Sequence, residues 1–174
     1  MNKKDNIILI GFMGCGKSSV GYRLSYAMRR TLIDTDKLIE KQQDMAISQI
    51  FRDKGEQAFR QMETDCIKQL IETADRQIIS TGGGLPMKEE NHALLKQLGT
   101  VYYLKVTKEA VYERLKGDTT RPLLQGDNPQ GKIEELLAKR APVYEACADY
   151  VIEVSDKSFE EIIGEICKKE KVRQ

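Results

Sequence analysis

The residues of this 174-residue chain that could do chemistry fall into a few short runs. Gly11-Phe12-Met13-Gly14-Cys15-Gly16-Lys17-Ser18 fits G-x-x-x-x-G-K-[ST] and follows an apolar run, Ile7 to Ile10. A buried strand, a glycine-rich turn and a helix start in that order form an anion cradle. Glycines let successive backbone N–H groups face one anion, and the positive end of the following helix points the same way. Lys17 can neutralise phosphate charge, and the Ser18 hydroxyl can join a divalent cation's oxygen shell. Asp34-Thr35-Asp36 follows a second short apolar run. Strand alternation would place the two carboxylates on one side, where one serves a metal shell and the other accepts a proton from an attacking hydroxyl. The competing reading is that one of them caps a helix over 37–43, and capping by Asp36 would not exclude catalysis.

Arginines supply the remaining candidates. Arg60 and Glu63 sit three apart on one helical face. Such a pair is either a surface ion pair worth a few tenths of a kcal/mol or a device in which Glu63 aims Arg60 at a substrate carboxylate. Arg140, in Lys139-Arg140-Ala141-Pro142, carries the same ambiguity. Two guanidinium forks on one pocket would select a small acid, but spacing alone does not show that they converge. Gly82-Gly83-Gly84 reads either as a flexible turn or as a close backbone approach to a ligand. Arg121 lies in a stretch over 117–131 without apolar periodicity. Composition favours a plain surface loop there, while one arginine with an apolar grip also suits a lid over phosphates.

These candidates need elements to position them, and the chain alternates strand and helix signals. Strands are expected at 7–10, 31–34, 77–80, 101–106 and 150–154. Helices are expected at 17–29, 37–43, 47–73, 88–98, 108–116, 132–148 and 159–169. Gly55 should divide the long polar helix, and Pro142 should kink or restart 132–148. This alternation predicts an α/β domain with a parallel sheet covered by helices on both faces, and ligands at the carboxyl ends of the strands. The glycine-rich loop, the acidic turn and the triple glycine all fall at such ends.

Composition narrows the function classes. Lys and Arg total 28 against 27 Asp and Glu, a net charge of +1, so no global field draws in nucleic acid or a membrane. Aromatics are 6% and Trp is absent, which argues against a base-stacking platform. Cys15, Cys66, Cys147 and Cys167 show no C-x-x-C spacing and read as free, mostly buried thiols. No targeting segment is visible, and a cytoplasmic location is expected. His92, in a polar stretch, reads as a surface residue without a role.

Taken together, G-F-M-G-C-G-K-S (11–18), I-D-T-D-K-L-I-E (33–40), G-E-Q-A-F-R-Q-M-E (55–63), S-T-G-G-G (80–84), R-P-L-L (121–124) and A-K-R-A-P-V-Y (138–144) resemble the shikimate kinases. The resemblance implies a three-layer α/β sandwich on a five-stranded parallel sheet, the P-loop NTPase architecture of the nucleoside monophosphate kinase type. It implies one domain over 1–174, with substrate-binding helices at about 36–62 and a lid at about 117–131. The implied reaction moves the γ-phosphoryl group of ATP to the 3-hydroxyl of shikimate, on the route to chorismate and the aromatic amino acids. Gly14, Cys15, Gly16, Lys17, Ser18, Ser19, Arg114 and Arg121 would bind the nucleotide, with Arg114 against the adenine. Ser18 and Asp34 would hold Mg²⁺, and Ser80 would stand near it through water. Asp36, Arg60, Gly82, Gly83, Gly84 and Arg140 would bind shikimate, the glycines through backbone N–H groups. Lys17, Asp36 and Arg121 would be catalytic. The family further implies a monomer without nucleic-acid or membrane partners. Cys15 departs from the small residue, often alanine, expected in the loop. A gluconate kinase on the same scaffold, and a silent nucleotide-binding module, are the alternatives.

Overall fold

The computed structural model describes residues 3–118 and 126–173. Its elements run β1 (Ile7–Ile10), α1 (Lys17–Met28), β2 (Leu32–Asp34), α2 (Thr35–Gln43), α3 (Ile47–Lys54), α4 (Glu56–Thr73) and β3 (Ile78–Ser80). A 3₁₀ turn at Leu85–Met87 then leads to α5 (Glu90–Leu98), β4 (Thr100–Lys105), α6 (Lys108–Leu115), α7 (Pro129–Cys147), β5 (Tyr150–Glu153) and α8 (Phe159–Arg173).

The strands form one parallel sheet in the order β2-β3-β1-β4-β5. β1 lies at its centre, and its four residues are wholly buried, as a continuous apolar run in a doubly covered sheet must be. Val20 and Leu24 of α1, Ile67 and Leu70 of α4, Leu95 and Leu98 of α5, and Tyr144 and Cys147 of α7 complete the core. α1 packs with α8, and α4 with α5. This is the expected α/β architecture, with the carboxyl ends of β1, β2 and β3 on one rim.

Gly55 separates α3 from α4 at φ 87°, a left-handed value that glycine adopts at little cost. Elsewhere the structure corrects the reading. α2 begins at Thr35 rather than 37, and of the two aspartates it is Asp34 whose carboxylate caps it, accepting the Lys37 N–H at 3.1 Å. Asp36 therefore stands in the first helical turn, and strand alternation does not relate the pair. α7 runs through Pro142 unbroken and starts at Pro129, inside the stretch expected as a lid. Asn128 caps it, and proline suits a first helical position because its missing N–H would be unpaired there anyway. His92 is half-buried with its ring Nε2 2.6 Å from the Pro86 carbonyl oxygen, not a free surface side chain.

The four cysteines are free; Cys15, Cys66 and Cys147 are buried and Cys167 is half-buried. Burial pushes the Cys66 thiol up to about 12, which leaves it protonated and inert. No helix among the described residues is long and apolar enough to cross a membrane.

Candidate active site

The loop after β1 turns tightly because Gly14 and Gly16 adopt φ 74° and 89°. No side chain caps α1, so its first N–H groups are left for an external anion. The Lys17 ammonium donates to the carbonyl oxygens of Gly11 at 2.7 Å and Phe12 at 3.2 Å. These neutral acceptors are weaker partners than a phosphate oxygen. Arg114, on α6, donates to the Gly14 carbonyl at 2.8 Å and so braces the loop from its outer side. Cys15 is buried within the turn, its Sγ 3.6 Å from the Lys17 Nζ. Lys17, Ser18, Ser19, Asp34, Asp36 and Ser80 line one cavity of about 300 Å³ together with Gly14, Gly16, Gly82 and Gly83.

Asp34 and Ser80 are register partners at the ends of β2 and β3. The Ser18 hydroxyl, the Asp34 carboxylate and Ser80 give this corner a purely oxygen donor set, the chemistry that hard divalent cations prefer. Among the described residues no cluster of three or more His, Cys, Asp or Glu could enclose a metal. A cation here would share its shell with water and phosphate, as magnesium does in phosphoryl-transfer sites.

Asp36 has a buried Oδ1 with no hydrogen-bond partner. Burial, then the neighbouring Asp34 charge, raises its pKa to about 6, against the opposing pull of Lys17 and Arg60. An orphaned acceptor at the wall of a cavity is costly unless a donor arrives from outside. The hydroxyl of an acceptor molecule is such a donor.

The triple glycine is where the candidates meet. A Cβ on Gly82 would lie 2.6 Å from Asp36 Oδ1, and one on Gly84 would lie 2.5 Å from the Arg60 guanidinium nitrogens. At Gly83 the Arg140 guanidinium stands 3.5 Å from the same position. Missing side chains at Gly82 and Gly84 thus make room for Asp36 and Arg60, Arg140 stands at van der Waals distance from Gly83 between them, and the two guanidinium groups converge. The Arg60–Glu63 pair is no surface ion pair. Glu63 is wholly buried and accepts from Arg60 at 2.6 Å, while exposed Glu56 accepts at 3.3 Å. Burial lifts the Glu63 carboxyl to about 7 despite Arg60, so the pair is held at a desolvation cost.

One expectation changes in detail. The Gly82 N–H donates to the buried Thr35 hydroxyl at 3.2 Å and is committed within the protein, which leaves the N–H groups of Gly83 and Gly84 as candidates for a ligand. Arg121 lies outside the described residues. Thr35 and Tyr144, whose hydroxyl donates to the Gly83 carbonyl, were not singled out from sequence. Their signal was positional: Thr35 stands between the two aspartates, and Tyr144 one helical turn beyond Arg140.

The sequence model of the shikimate kinase family matches residues 13–171. The chain is 45% identical over 163 residues to a shikimate kinase of Thermodesulfovibrio yellowstonii, covering 94% of this chain and 93% of that one. It is 38% identical over 168 residues to one of Thioalkalivibrio sulfidiphilus, covering 97% and 88%. The shikimate kinase of Acinetobacter baumannii, solved in complex with shikimate, superposes with a TM-score of 0.89 at 34% identity, covering 98% and 95%. A gluconokinase of Sinorhizobium meliloti shares the fold at a TM-score of 0.58, but 13% identity carries nothing about its substrate. The site geometry and the full-length similarity agree: this chain belongs to the shikimate kinase family.

Proposed function

We propose that this chain moves the γ-phosphoryl group of ATP onto the 3-hydroxyl of shikimate, giving shikimate 3-phosphate and ADP. The observation that carries this reading is the meeting of Asp36, Arg60 and Arg140 on consecutive glycines beside the phosphate cradle. Shikimate carries a carboxylate at one end of its ring and hydroxyls at the other. Arg60 and Arg140 grip the carboxylate with planar, bidentate forks, joined by the Gly83 and Gly84 N–H groups. Buried Glu63 fixes the Arg60 fork. The acceptor hydroxyl then donates to the orphaned Asp36 oxygen.

The hydroxyl oxygen attacks the γ-phosphorus, the bond to the bridging oxygen of ADP breaks, and the hydroxyl proton passes to Asp36. Charge spreads over the transferred group during this step. The Lys17 ammonium and the α1 N-terminus oppose it, and the Arg121 position of the family pattern would add a second cation. Ser18 and Asp34 would hold Mg²⁺, which when bound neutralises phosphate charge. Asp36 of α2 and Arg60 of α4 supply the acceptor side of the cavity. One chain supplies every residue in this scheme.

A coupled assay offering shikimate and gluconate in parallel with ATP and Mg²⁺ tests the reading. Rapid ADP release with shikimate and little with gluconate is expected; the reverse preference would overturn it. Arg60→Ala and Arg140→Ala are each expected to raise the shikimate KM by about 10²-fold, with the ATP KM nearly unchanged. Gly84→Ala should act the same way more mildly, because the added methyl displaces the Arg60 guanidinium while Gly84 itself sits at an unstrained φ of −91°. Unchanged shikimate KM values in the arginine variants would mean that the carboxylate binds elsewhere.

A further inference from the structure

Tyr144 is wholly buried on α7, one turn beyond Arg140, and its ring lies 5.1 Å from that of Tyr103. Its hydroxyl donates to the Gly83 carbonyl oxygen at 2.5 Å. A trans peptide is planar, so the C=O of Gly83 and the N–H of Gly84 point in opposite directions. Fixing the one fixes the other. The peptide needs such a hold, because glycine on both sides lets it rotate at little steric cost. Thr35 secures the Gly82 N–H, and the Leu85 and Met87 N–H groups hold the Gly82 and Gly84 carbonyls, but a turn closed in this way still permits its central Gly83–Gly84 peptide to flip. Burial pushes the Tyr144 phenol up to about 12, with the nearby Arg140 opposing, so it stays a donor through the neutral range.

We propose that Tyr144 is a positioning residue for the carboxylate end of the acceptor: its hydroxyl pins the Gly83–Gly84 peptide so that the Gly84 N–H joins Arg60 and Arg140 on one anion. This rests on the shikimate reading above. It assigns α7 a double duty, one turn carrying a fork and the next turn holding the backbone donor beside it. The neighbouring Tyr103, its ring tilted at 33° to that of Tyr144, also has a buried hydroxyl, but that one has no partner among the described residues.

The test is steady-state kinetics of Tyr144→Phe, which keeps the ring and removes the donor. The shikimate KM should rise about tenfold, with kcat and the ATP KM within about twofold of the parent. With the analogue in which hydrogen replaces the carboxylate, parent and variant should have the same kcat/KM. Tyr103→Phe should leave every constant unchanged. An unchanged shikimate KM in Tyr144→Phe, or an equal loss with the analogue or with ATP, would overturn the proposal. Tyr144→Leu, made in parallel, loses the same hydroxyl in another shape; a KM rise confined to Tyr144→Leu would mark a packing effect and likewise overturn it. A parent enzyme that ignores shikimate would sink the functional reading, whereas an active parent with an indifferent Tyr144→Phe sinks only the positioning role.

Discussion

Lys17→Ala should lower kcat by about 10³-fold or more while the protein stays folded. The lysine is the one cation within the described cradle that can follow charge as it spreads onto the transferred group, and electrostatic terms of this kind dominate phosphoryl transfer. Its contacts in the structure are hydrogen bonds to the Gly11 and Phe12 carbonyls. Losing them costs about 1–3 kcal/mol in all, because the buried Gly11 carbonyl gives up a donor at 2.7 Å while that of Phe12 keeps the Cys15 N–H at 3.1 Å. The circular dichroism spectrum should therefore match the parent and Tm should fall by several degrees. A kcat close to that of the parent would remove the glycine-rich loop from the catalytic account.

Asp36→Asn should give two effects of opposite sign. Removing the proton acceptor should cost about 10²- to 10⁴-fold in kcat. The same change should raise Tm. The folded-state pKa of Asp36, about 6, lies above the ordinary carboxylate value near 3.9. Between those values the folded protein binds more proton than the unfolded chain. The stability associated with the protonated carboxyl is complete below about pH 4 and is lost as pH rises through about 6. At pH 7.5 the native state thus carries an ionised, poorly solvated carboxylate, and a neutral amide relieves it by on the order of 1–2 kcal/mol. For a chain of this length that is a rise of about 2–8 °C, readable by thermal melts without nucleotide or shikimate. The parent and the variant should converge in Tm near pH 4. A variant that loses activity and stability together would mark Asp36 as a structural residue. In the parent, kcat/KM for shikimate should fall as the medium is acidified below about pH 6, because the acceptor oxygen becomes protonated.

The two variants show where sequence reasoning was strong. The G-x-x-x-x-G-K-S run carries its own backbone geometry, since glycine at positive φ and an uncapped helix start are local consequences of residue type. The sheet was legible for a similar reason: apolar runs bounded by turn residues, alternating with helical periods, leave few topologies. Gly55 divided α3 from α4 as its lack of a side chain predicts. What stayed hidden was long-range. Nothing local tells whether Arg60 and Arg140 converge; that depends on how α4 and α7 cross the rim against Gly83 and Gly84. Which of the two aspartates caps α2 was not legible, because a strand and a helix meet there with no intervening loop and Asp34 serves both. Thr35 and Tyr144 carried no motif, since a hydroxyl that holds a glycine backbone is recognisable only once the backbone is beside it. The same is true of Glu63, which spacing alone could not tell from a surface ion pair.

The most direct measurement of the central claim is a crystal structure of this protein with shikimate bound. The account predicts the carboxylate within hydrogen-bond distance of both Arg60 and Arg140, and a ring hydroxyl on the Asp36 oxygen that has no partner in the protein. A carboxylate seated on Lys17, or shikimate bound away from the glycine triplet, would contradict it.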